Sequence, residues 1–260
     1  MVDWIEGPHG RLAVSASGSG AAVPLLFLHS DGGRRDHWEA LRARYDGQRR
    51  SAAFDRRGHG DSAPPRNGRY GYAEEVADVV AVADALDFNR FVLIGHSGGG
   101  AVAFLAANSV PDRVHGLVLV DPAPDPAVLP AGMIDQTVKA MRDDFKTAVS
   151  DYYASIAGPD EALKKRIVYD AVTTAPATLV GLTGASMKFD PRAVAGRYCG
   201  EGVAIIQSEF DVDGALHRIA RFPHRAIDGV GHWLHLGAPD ELAEMLDAFL
   251  VKVDQPVTAG

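Results

Sequence analysis

Cysteine is nearly absent: Cys199 is the only one in 260 residues, so neither an intrachain disulfide nor a multi-thiolate metal site can form. No stretch approaches the ~20 apolar residues that a spanning helix requires. Met1-Val2-Asp3-Trp4 lacks the basic region and apolar core of a secretory leader, so the expectation is a cytoplasmic chain with no membrane partner. Basic residues are in the minority, 26 Lys and Arg against 34 Asp and Glu for a formal charge of −8. Nucleic acid is bound chiefly by neutralising its phosphates, so that balance disfavours it as a partner. Arg34-Arg35 and Arg49-Arg50 are too short to form a binding stripe and read as solvated surface.

What is present reads as one globular domain. Apolar residues make up 47% and charged residues 23% of the chain, ordinary values that exclude disorder and collagen-like repeats. A chain of this length buries most of the surface its unfolded form exposes. Val2 to Glu6 and Arg11 to Ala16 flank the turn-rich Gly7-Pro8-His9-Gly10 and predict a hairpin. Beyond it come compact apolar runs: Leu25 to Leu28, Ala52 to Phe54, Phe91 to Ile94, Leu117 to Val120 and Val203 to Ile206. Such runs are typical of strands buried on both faces. Val76, Val79, Val80, Ala83 and Leu86 recur at helical spacing between two of them.

Strands alternating with helices predict an α/β fold with a mostly parallel, doubly wound sheet, whose site is built by loops at the carboxyl ends of the strands. The rhythm breaks between Ala123 and Gly200, where only helical patterns occur. Ile134, Val138, Met141, Phe145, Val149 and Tyr152 fall on one helical face. Leu163, Ile167, Val168 and Ala171 mark a second helix, and Leu179, Val180, Leu182 and Met187 a third. Residues 123–200 are therefore expected to form a helical cap inserted after the sixth strand, over a core made of residues 1–122 and 201–260. The last helix carries Leu242, Met245, Leu246, Phe249 and Leu250, and residues 254–260 read as a frayed tail.

Gly95-His96-Ser97-Gly98-Gly99 matches G-x-S-x-G. The pattern gains force from its setting, after an apolar strand and before the small-residue helix Ala101 to Ala107. A serine held on so sharp a turn, with its Oγ over the sheet, needs minimal neighbours two residues away. Gly95 and Gly99 supply them. The Gly98 amide would then open a helix and point at a developing oxyanion.

At this point the sequence resembles the α/β-hydrolase superfamily over nearly its whole length. Phe27-Leu28-His29-Ser30-Asp31-Gly32-Gly33 is similar to the family's oxyanion loop, and Asp55-Arg56-Arg57-Gly58-His59-Gly60-Asp61-Ser62 to its D-x-R-G-x-G-x-S turn. The elbow follows, and Gly229-Val230-Gly231-His232 resembles its terminal G-x-G-H. The resemblance implies Ser97 as nucleophile and His232 as general base, after a last strand over His224 to Ile227. The implied triad acid is Asp211, on the loop Ser208-Glu209-Phe210-Asp211, with Glu209 and Asp121 as competitors. Gly98 and Asp31 would supply the oxyanion amides, with Ser30 as second choice. Ser30 departs from the family's glycine, and Asp31 brings a carboxylate towards the developing negative charge. His29, His59 and His96 flank glycine turns and read as structural rather than as the base. His29 and His96, with Met141, Phe145 and Trp233, are the residues expected along a substrate pocket, and His235 is a further neighbour.

These expectations describe a hydrolase of a small carboxylic ester or lactone acting through an acyl-enzyme on Ser97, with no cofactor and no metal. A serine at the elbow argues against the dehalogenases and epoxide hydrolases of the superfamily, which carry aspartate there. Two alternatives stay open. The same triad could serve carbon–carbon bond hydrolysis, perhydrolysis or cyanohydrin lysis, or a slow triad could leave a small-molecule binding protein. Monomer and homodimer are equally compatible with the sequence.

Overall fold

The computed structural model describes residues 2–255. The N-terminal hairpin forms as expected: β1 (Val2–Gly7) pairs antiparallel with β2 (Gly10–Ser17), with Gly7 opposite Gly10. The remaining strands are β3 (Ala22–Leu28), β4 (Arg49–Phe54), β5 (Phe91–His96), β6 (Val114–Val120), β7 (Glu201–Ile206) and β8 (His224–Ala226). They join the hairpin in one 8-stranded sheet ordered β1-β2-β4-β3-β5-β6-β7-β8. β2 meets β4 antiparallel, and every pairing from β4 to β8 is parallel.

Alternation along the central strands divides the core in two. Leu26, Leu28, Leu93, Leu117, Leu119 and Ile206 face one apolar layer. That layer is closed by α2 (Tyr72–Ala85) and α3 (Gly98–Ser109). Leu25, Phe27, Val92, Ile94, Val118 and Ile205 face the other, which holds α1 (Glu39–Ala43) and the long α10 (Pro239–Val253). Strands buried on both faces explain why these segments read as unbroken apolar runs. Asp254, expected in the frayed tail, is held by Arg49 at 2.6 Å, whereas 256–260 lie outside the described residues.

Between β6 and β7 lie α4 (Met133–Asp143), α5 (Phe145–Ile156), α6 (Glu161–Thr173) and α7 (Pro176–Ser186). They share a third apolar cluster around Met141, Val149, Ile167 and Leu179. The face from Ile134 to Tyr152 is split between two helices, because Asp144 leaves helical geometry (φ −148°, ψ 90°) and accepts the Thr147 amide to start α5. Two short helices, α8 (Leu216–Ala220) and α9 (Leu234–Gly237), complete the chain.

Candidate active site

Ser97 sits between β5 and α3 at φ 53°, ψ −121°, a left-handed backbone that costs a non-glycine residue energy and persists only where its surroundings fix it. Its carbonyl accepts the amides of Gly100 (2.8 Å) and Ala123 (3.0 Å), and its own amide donates to Val120 (3.1 Å). The flanking glycines are sterically required. A Cβ on Gly95 would lie 2.3 Å from the Gly99 carbonyl oxygen, and one on Gly99 would lie 2.3 Å from that of His29. Gly98 opens α3, so its N–H has no acceptor within the helix. Neither it nor the Asp31 amide donates to another backbone carbonyl among the described residues.

Ser97 and His232 line one cavity of about 180 Å³ beneath the inserted helices. His232 Nδ1 donates to Asp121 Oδ2 at 2.7 Å, so Nε2 is the ring nitrogen free to act as an acceptor. Ser97 Oγ makes no direct hydrogen bond to His232 among the described residues; such contacts often tighten only when substrate is bound. Asp121 directly follows β6, is fully buried, and also accepts the Gln207 amide and side-chain nitrogen, each at 3.2 Å.

The expected partnership of His232 with Asp211 is not formed. Asp211 instead accepts from His217 Nε2 (2.9 Å) and Arg218 Nε (2.6 Å), which hold its carboxyl well below the usual carboxylate range, Arg218 having the larger effect. Glu209 is exposed beside it, and neither carboxylate reaches His232. Asp211, His217 and His224 form the one His/carboxylate group among the described residues whose ligand atoms lie within 4.8 Å of one another, and Arg218 already occupies its Asp211 oxygen.

The inserted helices hold both loops of the site. Tyr153 Oη donates to the Asp31 carbonyl at 2.8 Å, and the Ile156 carbonyl accepts the His232 amide at 2.8 Å. Gly231 has φ 78°, and a Cβ there would lie 2.4 Å from the Gly158 nitrogen. The second glycine of G-x-G-H is thus where the end of α5 packs against the histidine loop.

The Asp55–Ser62 turn supports the loop that follows β3. Arg56 N donates to His29 Nε2 (2.9 Å), which leaves His29 Nδ1 to donate to the Ser30 carbonyl (2.7 Å). Gly32 N donates to His59 Nε2 (3.1 Å), and burial drives the His59 pKa down to about 4. Arg56 pairs with both carboxylate oxygens of Glu75 (2.7 and 2.8 Å) and reaches Asp31 Oδ1 at 2.8 Å; Tyr72 Oη donates to Asp31 Oδ2 at 2.9 Å.

Of the residues expected along the pocket, Met141 and Trp233 line the cavity, together with Ser30 and Asp31. His29 and His96 are fully buried beneath it, and Phe145 packs on the apolar cluster of the inserted helices. His96 Nε2 donates to the His232 carbonyl at 2.9 Å, holding the histidine loop from below. His235 stacks on Trp38 with ring centroids 4.0 Å apart, on the far side of His96. Tyr72, Ile134, Leu179 and Thr183 also line the cavity. Only their helical spacing could have suggested them, and spacing does not say which face meets the site.

Residues 25–245 match the model of the Alpha/beta hydrolase family, and the chain belongs to that family. A non-heme chloroperoxidase of Streptomyces lividans is 35% identical over 130 residues, 49% of this chain and 47% of that protein. The chain spans less than half the length of the curated relatives it matches. A hydrolase from Pseudomonas aeruginosa superposes with a TM-score of 0.85 at 22% identity, covering 96% of this chain and 98% of that one. The enol-lactonase of Burkholderia xenovorans gives 0.84 at 18% identity, covering 96% and 100%. At these identities the structural likeness is one of fold.

Proposed function

We propose that the protein is a serine hydrolase of small carboxylic esters or lactones, with Ser97 as nucleophile, His232 as general base and Asp121 as the acid that orients it. The observation that carries the reading is the tie of His232 Nδ1 to buried Asp121, with Nε2 left free in the cavity that the elbow serine also lines. Ser97 Oγ attacks the carbonyl carbon while His232 Nε2 takes its proton, and Asp121 stabilises the imidazolium. The amides of Gly98 and Asp31 receive the oxyanion. The proton passes to the leaving alkoxide, which departs as an alcohol. Water then attacks the acyl-enzyme, gives its proton to His232 and releases the acid, and the proton returns to Ser97.

The small cavity suits a short acyl group. Residues 123–200 serve as the cap, shielding the reaction from water through helices that also brace both loops. Asp121 replaces Asp211 in this assignment because a carboxylate already engaged by His217 and Arg218 has no geometry with which to orient His232.

The test is turnover of p-nitrophenyl acetate by the wild type and by Ser97→Ala, with mass spectrometry after treatment with a fluorophosphonate. Turnover and a single adduct on Ser97, both lost in the variant, are expected. Turnover that persists in Ser97→Ala would sink the assignment.

A further inference from the structure

The least expected residue of the site is Asp31, a carboxylate beside the position where an oxyanion would form. Its Oδ1 lies 2.2 Å from where a Cβ on Gly98 would be, so it abuts the first residue of α3. Arg56 does not neutralise it fully. That guanidinium is shared with Glu75, so two carboxylates face one cation and the buried group keeps a net negative charge. Arg56 is fully buried and Glu75 nearly so, whereas the Asp31 side chain is 25% exposed, which turns the surplus charge towards the cavity.

Among the described residues, no lysine or arginine lines that cavity, and its other titratable groups are His232 and tyrosines. Tyr72 and Tyr153 are buried against Asp31, one bonded to its carboxylate and the other to its carbonyl, and burial together with the Asp31 charge pushes their phenols up, so they present neutral aromatic rings; half-exposed Tyr152 lines the cavity beside them. Leu129, Met133 and Ile134 also line an adjoining outer groove of about 450 Å³. There, Asp125, Asp135 and Asp190 outnumber Arg192, which pairs with Asp125 at 2.7 Å.

A carboxylate next to the reacting carbonyl opposes the oxyanion unless the substrate brings compensating charge. Negative potential in a recessed cavity draws cations in, and aromatic faces beside a carboxylate are the chemistry that holds an ammonium group. We propose that the cavity is built for esters carrying a positively charged nitrogen, with Asp31 as the specificity-determining residue that receives it. The inference rests on the hydrolase reading for its reaction, but the cation site itself requires no turnover.

Two measurements separate these claims. The first compares kcat/KM for acetylthiocholine and its neutral isostere, the thioacetate of 3,3-dimethylbutane-1-thiol, in the wild type and in Asp31→Asn. The expected result is a preference for the cationic ester of about tenfold or more, falling to within about threefold in the variant, as removal of one close charge in a partly buried site implies. Equal or reversed preference in the wild type, or full preference retained without the carboxylate, would overturn the proposal. The second compares binding of choline and 3,3-dimethylbutan-1-ol to Ser97→Ala by calorimetry, which depends neither on hydrolysis nor on the folding of an Asp31 variant. Tighter binding of choline supports the cation site even if neither thioester is cleaved, in which case only the ester chemistry falls. Equal or weaker binding of choline overturns the cation site even if both thioesters are cleaved.

Discussion

The catalytic assignment turns on two aspartates on the loops that follow adjacent strands, β6 and β7. Asp121 is buried and bonded to His232, while Asp211 is part-exposed and bonded to His217 and Arg218. Asn at position 121 would present an amide to Nδ1 and favour the wrong imidazole tautomer, so Asp121→Asn is expected to lower kcat/KM by roughly 10³–10⁴-fold with KM little changed. Asp211→Asn, which leaves that contact intact, is expected to stay within about threefold of wild type, because its partners, buried His217 and half-exposed Arg218, make no hydrogen bond to His232 or Ser97 among the described residues. Steady-state kinetics of the pair decide the point, and the reverse ranking would restore Asp211. That Ser97 stands on a sharp strand-to-helix turn and His232 on a glycine-flanked loop was legible in the sequence, because tight turns leave glycine spacings that few other structures need. The carboxylate that holds His232 was not, since both candidates follow apolar strands. What separates them is the register of β6 against β7, which places Asp121 N on the Ile205 carbonyl and Gln207 on the Asp121 carboxylate.

The inserted helices act on the site through a small number of hydrogen bonds, and α5 makes the most direct ones. Removing the Tyr153 hydroxyl leaves the ring packed against Trp233 but frees the Asp31 carbonyl and with it the oxyanion loop. Tyr153→Phe is therefore expected to lose about 1 kcal/mol of stability and to lower kcat more than it raises KM, since a loop that positions an oxyanion amide acts in the transition state. Unchanged kcat with an unchanged melting midpoint would show that α5 does not brace the loop. At the start of the same helix, Asp144→Ala removes an exposed N-cap and should lower the urea midpoint without touching kinetics; no loss of stability would mean that the cap contributes nothing. The apolar spacing continues across Asp144, so the sequence alone implies a single helical face there. Periodicity records which residues face inward, but a break that preserves the inward face leaves no trace except the capping residue itself.

Burial of histidine ties the fold as a unit to pH. His29, His59, His96 and His235 are all held neutral, chiefly by burial; neighbouring cations and imidazoles add to the effect, Arg56 beside His59 and His232 beside His96. Each binds a proton more readily when the chain is unfolded, where the imidazole pKa is about 6.5. Their stabilisation is therefore complete well above about pH 6.5 and is lost as pH falls through that value towards the folded ones. His59 alone, with a folded pKa of about 4, accounts for roughly 3 kcal/mol by the time it is fully titrated. The buried carboxylates Asp55, Glu75 and Asp78 are shifted upward by burial against the pull of their arginine partners, so their protonation offsets part of that loss at the acid end. Urea midpoints measured at about pH 7.5, 6.5 and 5.5 should fall slightly across the first interval and about three times as far across the second. His59→Gln can keep an acceptor for the Gly32 amide without an imidazole, so it should flatten part of that fall. A midpoint that holds from about pH 7.5 to 5.5 would mean that the unfolded chain keeps these histidines as dehydrated as the folded one does.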